Sequence, residues 1–350
     1  MKVAVTADVH LGREGEHPER LEALGCILDT AESRGIPILV IAGDLFDQNS
    51  TGYSGFEQLC RRHPGIQVHL IPGNHDPDIS GKTVVGDNIT VHRQVTSVDL
   101  DGVSMVFVPY CENSGMCDSL GNLNTGGRWV LVGHGDYLGG LKERNPYEKG
   151  TYMPLYRKDL ELLKPWRVFL GHIHKPLKDS SVYYPGSPCG LDINETGRRS
   201  FLLFDTSTGK VDRETVDTAV IYFRESFLVI PDELELDRLR KQAEARTAAW
   251  GLTAGERPKA RVRVEARGFS SDREAVMECL RESFSDYTFH SGELPDISGL
   301  RIAGDGRRTT IARRAIELIE DLDWEYGGEQ PDKEQVMEAA LGIIFGDGAG

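Results

Sequence analysis

The sequence predicts an α/β protein over residues 1–220, a smaller α+β unit over 221–300 and a helical segment over 301–350. Three observations carry this. Short, nearly continuous apolar runs alternate with helical or loop stretches through the first 220 residues, and such runs suit strands covered on both faces. The stretch between the first two runs has apolar residues at helical spacing. From about residue 221 the texture shifts to charged helices around one alternating strand, which marks a second layer structure.

In order, the expected strands are "KVAVTAD" (2–8), "IPILVIAGD" (36–44), "IQVHLIPGNHD" (66–76), "VSMVFVP" (103–109), "WVLVGH" (129–134), "RVFLGH" (167–172) and "SFLLFD" (200–205). In "HPERLEALGCILDTAESRG", Leu21, Leu24, Ile27, Leu28 and Ala31 share a helix face, and Gly35 is a plausible stop. Beyond residue 221, "DELELDRLRKQAEARTAAW" reads as an exposed helix and "KARVRVEARGF" as a half-buried strand. "SDREAVMECLRESF" starts with helix-capping residues and continues amphipathically. "TTIARRAIELIEDLDW" and "DKEQVMEAALGIIFG" read as two short amphipathic helices around a Gly-Gly turn.

The chain has 350 residues, 27% charged and 39% hydrophobic, as expected of an ordinary globular protein. No apolar run approaches the roughly 20 residues that span a bilayer, so no membrane partner is expected. The N-terminus reads as a strand rather than a signal peptide. Six cysteines lie scattered without a C-x-x-C pair, which points to a reducing cytoplasm; a Cys111–Cys117 disulfide is the alternative reading. A formal net charge of −15 argues against nucleic-acid binding by bulk charge, though not by local basic patches.

Five expected strands end in residues able to hold a metal: Asp8-Val9-His10, Gly43-Asp44, Gly73-Asn74-His75-Asp76, Gly133-His134 and Gly171-His172-Ile173-His174. Each piece alone is weak; G-D and G-H are common in loops. Together and in order they place two Asp, one Asn and four His at strand mouths, with His75 left over. Glycine before four of the groups permits sharp turns and close approach, and sites in open α/β sheets lie beyond the carboxyl ends of strands. Seven donors exceed one tetrahedral site and suit two ions sharing a carboxylate. Imidazole and carboxylate without thiolate favour manganese, iron or zinc over calcium. Two such ions about 3.5–4 Å apart can activate a water and clamp an in-line displacement at phosphorus.

With its ordered D-x-H, G-D, G-N-H-D, G-H and G-H-x-H motifs, the stretch 1–205 resembles the calcineurin-like metallophosphoesterases. "TADVHLG", "IAGDLFD", "IPGNHD", "GHIH" and "YYPGSPCGLDINETGRRSFLLFD" look like the SbcD-type DNA repair exonucleases, bacterial relatives of the nuclease subunit in double-strand-break repair complexes. The resemblance implies a β-sandwich of two mixed sheets flanked by helices, with a smaller C-terminal α+β capping domain. It implies that Asp8, His10 and His174 hold one ion, that Asn74, His134 and His172 hold the other, and that Asp44 bridges them. Two divalent ions, manganese above iron or zinc, are the implied cofactors. His75 would act as transition-state stabiliser or proton donor. The residue types agree: Asp44 has an oxygen for each ion, Asn74 a neutral carbonyl, and His75 projects away from its ligand neighbour. Asp76 would orient His75 or cap a following helix. DNA, an SMC-like ATPase of the SbcC type and a second copy of the chain are the implied partners. After "GDLFD" the relatives carry a Pro-Ser element and a helix used for dimerisation and DNA contact; "QNSTGYSGFEQLCRRHPG" lacks the Pro-Ser. Asp47 stands where some relatives have a second active-site histidine.

Other features are less specific. Lys259, Arg261 and Arg263 would share a strand face, as a phosphate-contacting stripe or an ordinary solvated surface. "GDGRRTTIARR" carries four arginines near a helix start. Arg93, Tyr110 and Tyr137 are candidates for a cleft lining. The last two helices, with Ile311, Ala315, Leu318 and Ile319, then Val336, Ala339, Ala340 and Ile343, would dock on the ATPase or pack on their own capping domain.

Overall fold

The computed structural model describes residues 1–13, 15–48, 53–121, 127–140, 145–146, 148–303, 306–322 and 333–345. They form two compact units, Met1–Leu191 with Arg198–Val220, and Asp192–Gly197 with Ile221–Gly350.

The first unit runs β1 (Lys2–Thr6), α1 (Pro18–Ser33), β2 (Ile38–Ala42), α2 (Tyr53–Arg62), β3 (Gln67–Ile71), β4 (Ile89–Val91), β5 (Thr96–Leu100), β6 (Val103–Phe107), α3 (Met116–Leu120), β7 (Trp129–His134), β8 (Tyr137–Leu138), β9 (Leu155–Tyr156), α4 (Arg157–Leu163), β10 (Arg167–Gly171), β11 (Leu177–Asp179), β12 (Val182–Tyr184), β13 (Ser200–Asp205) and β14 (Val211–Thr215). Two six-stranded mixed sheets, ordered β14-β13-β1-β2-β3-β4 and β11-β12-β10-β7-β6-β5, pack face to face as a β-sandwich. Alternate residues of each strand point inward: Val3, Val5, Val40 and Ala42 meet Val103, Met105, Phe107, Val130 and Val132. The other parity is also buried. Leu131, Val168 and Leu170 lie under Met116 and Leu120 of α3, with Leu160 of α4 packed against them. Burial on both faces is why these strands read as unbroken apolar runs.

Helix α1 starts with Pro18, which needs no amide partner at that position, and buries Ala23, Leu24, Ile27, Leu28 and Ala31. It ends at Arg34-Gly35, where Gly35 has φ +62°. Strands β1, β2 and β3 are parallel neighbours, as are β6, β7 and β10. The β7–β10 register sets Gly171 beside His134, which levels two of the ligand-bearing strand ends. Cys111 and Cys117 are free thiols, so the disulfide between them does not form.

The second unit comprises β15 (Ile221–Val229), α5 (Glu235–Ala249), β16 (Ala260–Ser270), α6 (Arg273–Ser283), β17 (Thr288–Phe289), β18 (Asp296–Ile302), α7 (Gly306–Glu320) and α8 (Lys333–Phe345). β16 is central and parallel to β15, β17 and β18. Leu239, Ala243, Val276, Leu280 and Phe284 of α5 and α6 and the turn that follows cluster with Phe227, Val262 and Val264. Asp272 caps α6 by accepting from the Ala275 amide. Ala312, Ile316, Met337, Leu341 and Phe345 of α7 and α8 pack with Leu228, Ile230 and Phe269 of the same unit. Ile311, Leu318 and Ile343 stay exposed on these helices. Within the predicted basic stripe Arg263 faces Glu293 at 3.2 Å and Arg261 donates to the carbonyls of Pro258 and Ala260; further along the strand Arg267 pairs with Glu334 and Glu338. Lys259 lies in the turn before the strand rather than on it. Among the described residues no helix is long and apolar enough to cross a membrane.

Candidate metal centre

The chain bends sharply where the strands end. Asp8, His10, Asp44 and His172 have φ of +54°, +51°, +50° and +97°, in the left-handed region that side chains rarely enter. Each such residue costs on the order of 1–3 kcal/mol and persists only where its surroundings hold it. Here backbone pairing continues past the strands: the amides of Asp8, His10 and Leu11 donate to the carbonyls of Gly43, Asp44 and Leu45. Glycines supply the clearance. A Cβ at Gly43 would lie 2.2 Å from His134 Nδ1, and one at Gly73 would lie 2.1 Å from Asp44 Oδ1.

All eight residues singled out from the sequence meet at these bends. Donor atoms of Asp8, His10 and His174 lie within 4.8 Å of one another, as do those of His10, Asp44 and His75, and those of Asp8, Asp44 and His134. Asn74 Oδ1 is 2.9 Å from His134 Nε2 and 3.1 Å from His172 Nδ1. Asp44 Oδ2 sits between the two groups, 3.2 Å from His134 Nε2 and 3.7 Å from His10 Nε2. Ligands about 2.1 Å from a shared ion sit about 3 Å apart at right angles, so these spacings fit donors around one cation.

The orphaned atoms provide a second test. Asp8 Oδ1 accepts from the His172 amide at 2.7 Å, and Asp44 Oδ1 from the His75 amide at 2.8 Å. The other oxygens, Asp8 Oδ2 and Asp44 Oδ2, and His10 Nε2 are buried with no hydrogen-bond partner among the described residues. Buried carboxylate oxygens without donors are costly, and a cation between them removes that cost. Metal-ligand chemistry therefore fits this donor set.

Electrostatics agrees. Burial alone would lower the His134 pKa, but Asp44 and Asp8 outweigh it and hold it at about 9. Burial pushes Asp44 up, and His134, His10 and His75 pull it below its ordinary value. Burial raises Asp8 despite its histidine neighbours. The pocket thus favours added positive charge. Burial, then the charge on His134, pushes His172 down to about 3, leaving it a neutral donor. His134 Nδ1 donates to the Ala42 carbonyl at 2.9 Å, which turns Nε2 inward. His75 donates from both ring nitrogens, to Asp47 at 3.2 Å and Glu148 at 2.9 Å. These two carboxylates overcome the burial effect and raise its pKa to about 10.

Asp76 neither orients the His75 ring nor caps a helix. It accepts from the amides of Gly73 at 2.7 Å and Phe46 at 3.1 Å, tying the loop after β3 to the loop after β2. Several supporting residues were not singled out from the sequence. Arg20 on α1 donates to the His10 carbonyl at 2.6 Å. Arg199 donates to the carbonyls of His174 and Ser187; its only signal was its place in the "ETGRRSF" flank. Glu148 and Asn145 come from a loop without any motif. Tyr152 lies against His172, ring centroids 4.7 Å apart, and Tyr110 lies 6.4 Å from His134.

Residues 1–204 match the calcineurin-like phosphoesterase family. Exonuclease subunit 1 of Enterobacteria phage T4 is 26% identical over 235 residues, covering 61% of this chain and 67% of that protein. A probable cyclic nucleotide phosphodiesterase of Fibrobacter succinogenes is 24% identical over 213 residues, covering 56% of this chain and 83% of that protein. The SbcD component of the SbcCD nuclease of Rhodobacter capsulatus is 38% identical over 91 residues, 22% of either chain.

Proposed function

Because the chain belongs to the calcineurin-like phosphoesterase family, we propose that it is a two-metal phosphodiesterase acting on DNA, an SbcD-like exonuclease of DNA repair, with endonuclease activity as a further expectation. One observation carries the hydrolytic reading: Asp8, Asp44 and His10 keep buried atoms with no hydrogen-bond partner among the described residues, where Asn74, His134, His172 and His174 converge. On this reading Asp8, His10 and His174 hold one ion, Asn74, His134 and His172 the other, and Asp44 reaches both. Manganese suits the mixed nitrogen and oxygen set, with iron or zinc as alternatives.

A pair of dications held by these residues would supply an activated water and charge neutralisation for in-line displacement at phosphorus. The rest is the protein's own work. Both ring nitrogens of His75 face carboxylates, which places the ring to give a proton to a phosphate or departing sugar oxygen. Arg20 and Arg199 fix the carbonyls of His10 and His174, which limits drift of those rings. The His75→Ala variant should lose cleavage while keeping Mn²⁺ binding by calorimetry; unchanged cleavage rejects the role.

The SbcD-like flanks and two relatives named as nuclease or exonuclease subunits support DNA as substrate. The implied partners are DNA, a second copy of the chain and an SMC-like ATPase of the SbcC type, in the cytoplasm. Ile311, Leu318 and Ile343 of α7 and α8 are exposed apolar side chains that the ATPase would contact on this reading. A small phosphodiester is the second reading. It is favoured by the net charge of −15, the countercharged Arg263 and Arg267, and the relative named as a cyclic nucleotide phosphodiesterase. Comparing Mn²⁺-supported turnover of DNA ends, a cyclic nucleotide and a nitrophenyl ester separates the two: DNA should be preferred, and preference for either small ester overturns the nuclease assignment.

A further inference from the structure

Glu148 belongs to no motif, yet it is the most connected carboxylate at the site. Asn74 Nδ2 donates to both of its oxygens, at 3.1 and 3.0 Å. His75 Nε2 donates at 2.9 Å and Asn145 Nδ2 at 3.4 Å. Asn145 Nδ2 also donates to the His172 carbonyl at 3.1 Å. One side chain from the loop before β9 is thus joined to the Gly-Asn-His-Asp loop and, through Asn145, to the Gly-His-x-His loop.

The chemistry of asparagine gives this contact a purpose. Its amide has two ends of nearly equal shape, and only the oxygen can serve a cation. A carboxylate accepts hydrogen bonds and never donates. Facing Glu148, Asn74 must present its NH₂, and Oδ1 then turns toward His134 Nε2 and His172 Nδ1. Without Glu148, Nδ2 could swing inward, leaving one ion short of a donor.

We propose that Glu148 is a positioning residue that locks the Asn74 amide with its oxygen toward the second ion and fixes the His75 ring beside it. This rests on the two-ion reading above. Partners that orient ligands in this way typically change metal affinity about 10–100-fold when removed.

Titrating Mn²⁺ into the metal-stripped full chain by calorimetry tests this without reading activity. The unchanged protein should show two binding events. Glu148→Ala should keep one and weaken the other about 10–100-fold. Glu148→Gln, whose carbonyl can still accept from Asn74 Nδ2, should lie closer to the original. The decisive comparison uses N74D: a carboxylate has two equivalent oxygens and no end to choose. Adding E148A to N74D should cost the second ion nothing further, and this double-mutant cycle isolates the orienting role. Should E148A fail to fold, E148Q alone and E148Q on N74D carry the same contrast on a smaller scale.

Two full-affinity events in E148A overturn the proposal, as does an equal loss with and without N74D. Unchanged ion binding with a lowered KM in E148A also overturns it, because Glu148 would then be occupying the phosphate's place. If the unchanged protein binds no ion, the two-metal reading fails instead, which keeps the two failures distinct.

Discussion

Gly43→Ala should disable the second ion's side of the site, and Gly35→Ala provides its control. Both glycines have positive φ, +89° and +62°. A left-handed alanine costs roughly 1–2 kcal/mol at either position. They differ in what the new methyl meets. At Gly35 there is nothing within 4 Å, whereas at Gly43 it would lie 2.2 Å from Nδ1, 2.6 Å from Cγ and 3.0 Å from Cβ of His134. The imidazole has no room to retreat, since it is fully buried and a Cβ at Gly171 would already stand 2.7 Å from the same Nδ1. The ring must leave its bond to the Ala42 carbonyl, and an orphaned buried group costs about 1–3 kcal/mol. Gly43→Ala should therefore lose about 2–5 kcal/mol, and about 1–3 kcal/mol more than Gly35→Ala. Urea unfolding of the metal-stripped proteins measures this, with m-values compared to confirm a common unfolding transition. Mn²⁺ titration should show weakened binding in Gly43→Ala and unchanged binding in the control. Equal destabilisation with equal ion affinity would refute the reasoning.

Three further outcomes follow from the same contacts. Asp76→Ala leaves the Gly73 and Phe46 amides unpaired, and about 2–4 kcal/mol of stability should be lost; a loss under about 0.5 kcal/mol by urea unfolding argues against the tie. His92 stacks on Phe107 with centroids 4.1 Å apart, and burial and then His69 lower its pKa from 6.5 to about 4. A lowered histidine is neutral in the fold while the unfolded chain takes the proton, so its contribution is intact above pH 6.5 and is lost as pH falls toward 4. The change is about 3 kcal/mol across that window. His92→Gln should flatten the pH dependence of urea unfolding relative to the unchanged chain, and identical slopes would rule the histidine out. Ile343, 84% exposed, should tolerate Asp within about 0.5 kcal/mol, yet that change should weaken co-purification with an SbcC-type ATPase if α8 docks there.

The eight candidate residues were legible because their signal is local. Each sits within a few residues of an apolar run's end, and run, glycine and ligand are all visible together. The helix face of α1 was legible for the same reason. What escaped depends on contacts distant along the chain. Glu148 reaches His75 across 73 positions, and its surroundings, "NPYEKG", carry no motif. Asp76 resembled a cap because a polar turn follows it; its two amide partners include Phe46, 30 residues earlier. β15 was obscured by Arg224 and Glu225 in its middle: Arg224 faces solvent and pairs with Glu265 on the adjacent strand, while Glu225 points to the other face and accepts from Arg246 and Trp250 at the end of α5. Several missed strands, β4 and β11 among them, have three residues each, too few for a period to show.

The glycine pattern also has a physical limit that explains the strained backbone. Glycine sits next to ligands, at 43, 73, 133 and 171, where neighbours come close. It cannot sit at the ligands themselves, although Asp8, His10, Asp44 and His172 adopt the conformation glycine favours. A side chain is needed there, so the strain is held by the fold instead: the amides of Asp8 and His10 bond to the chain after β2, and the amide of His172 bonds to Asp8 Oδ1. That last bond couples the two sheets at the site itself, since Asp8 follows β1 and His172 follows β10. Asp8→Ala should accordingly loosen the Gly-His-x-His loop as well as remove a donor. Amide exchange at His172 should then quicken even in metal-free protein, and unchanged exchange would mean the loop keeps its shape without the carboxylate.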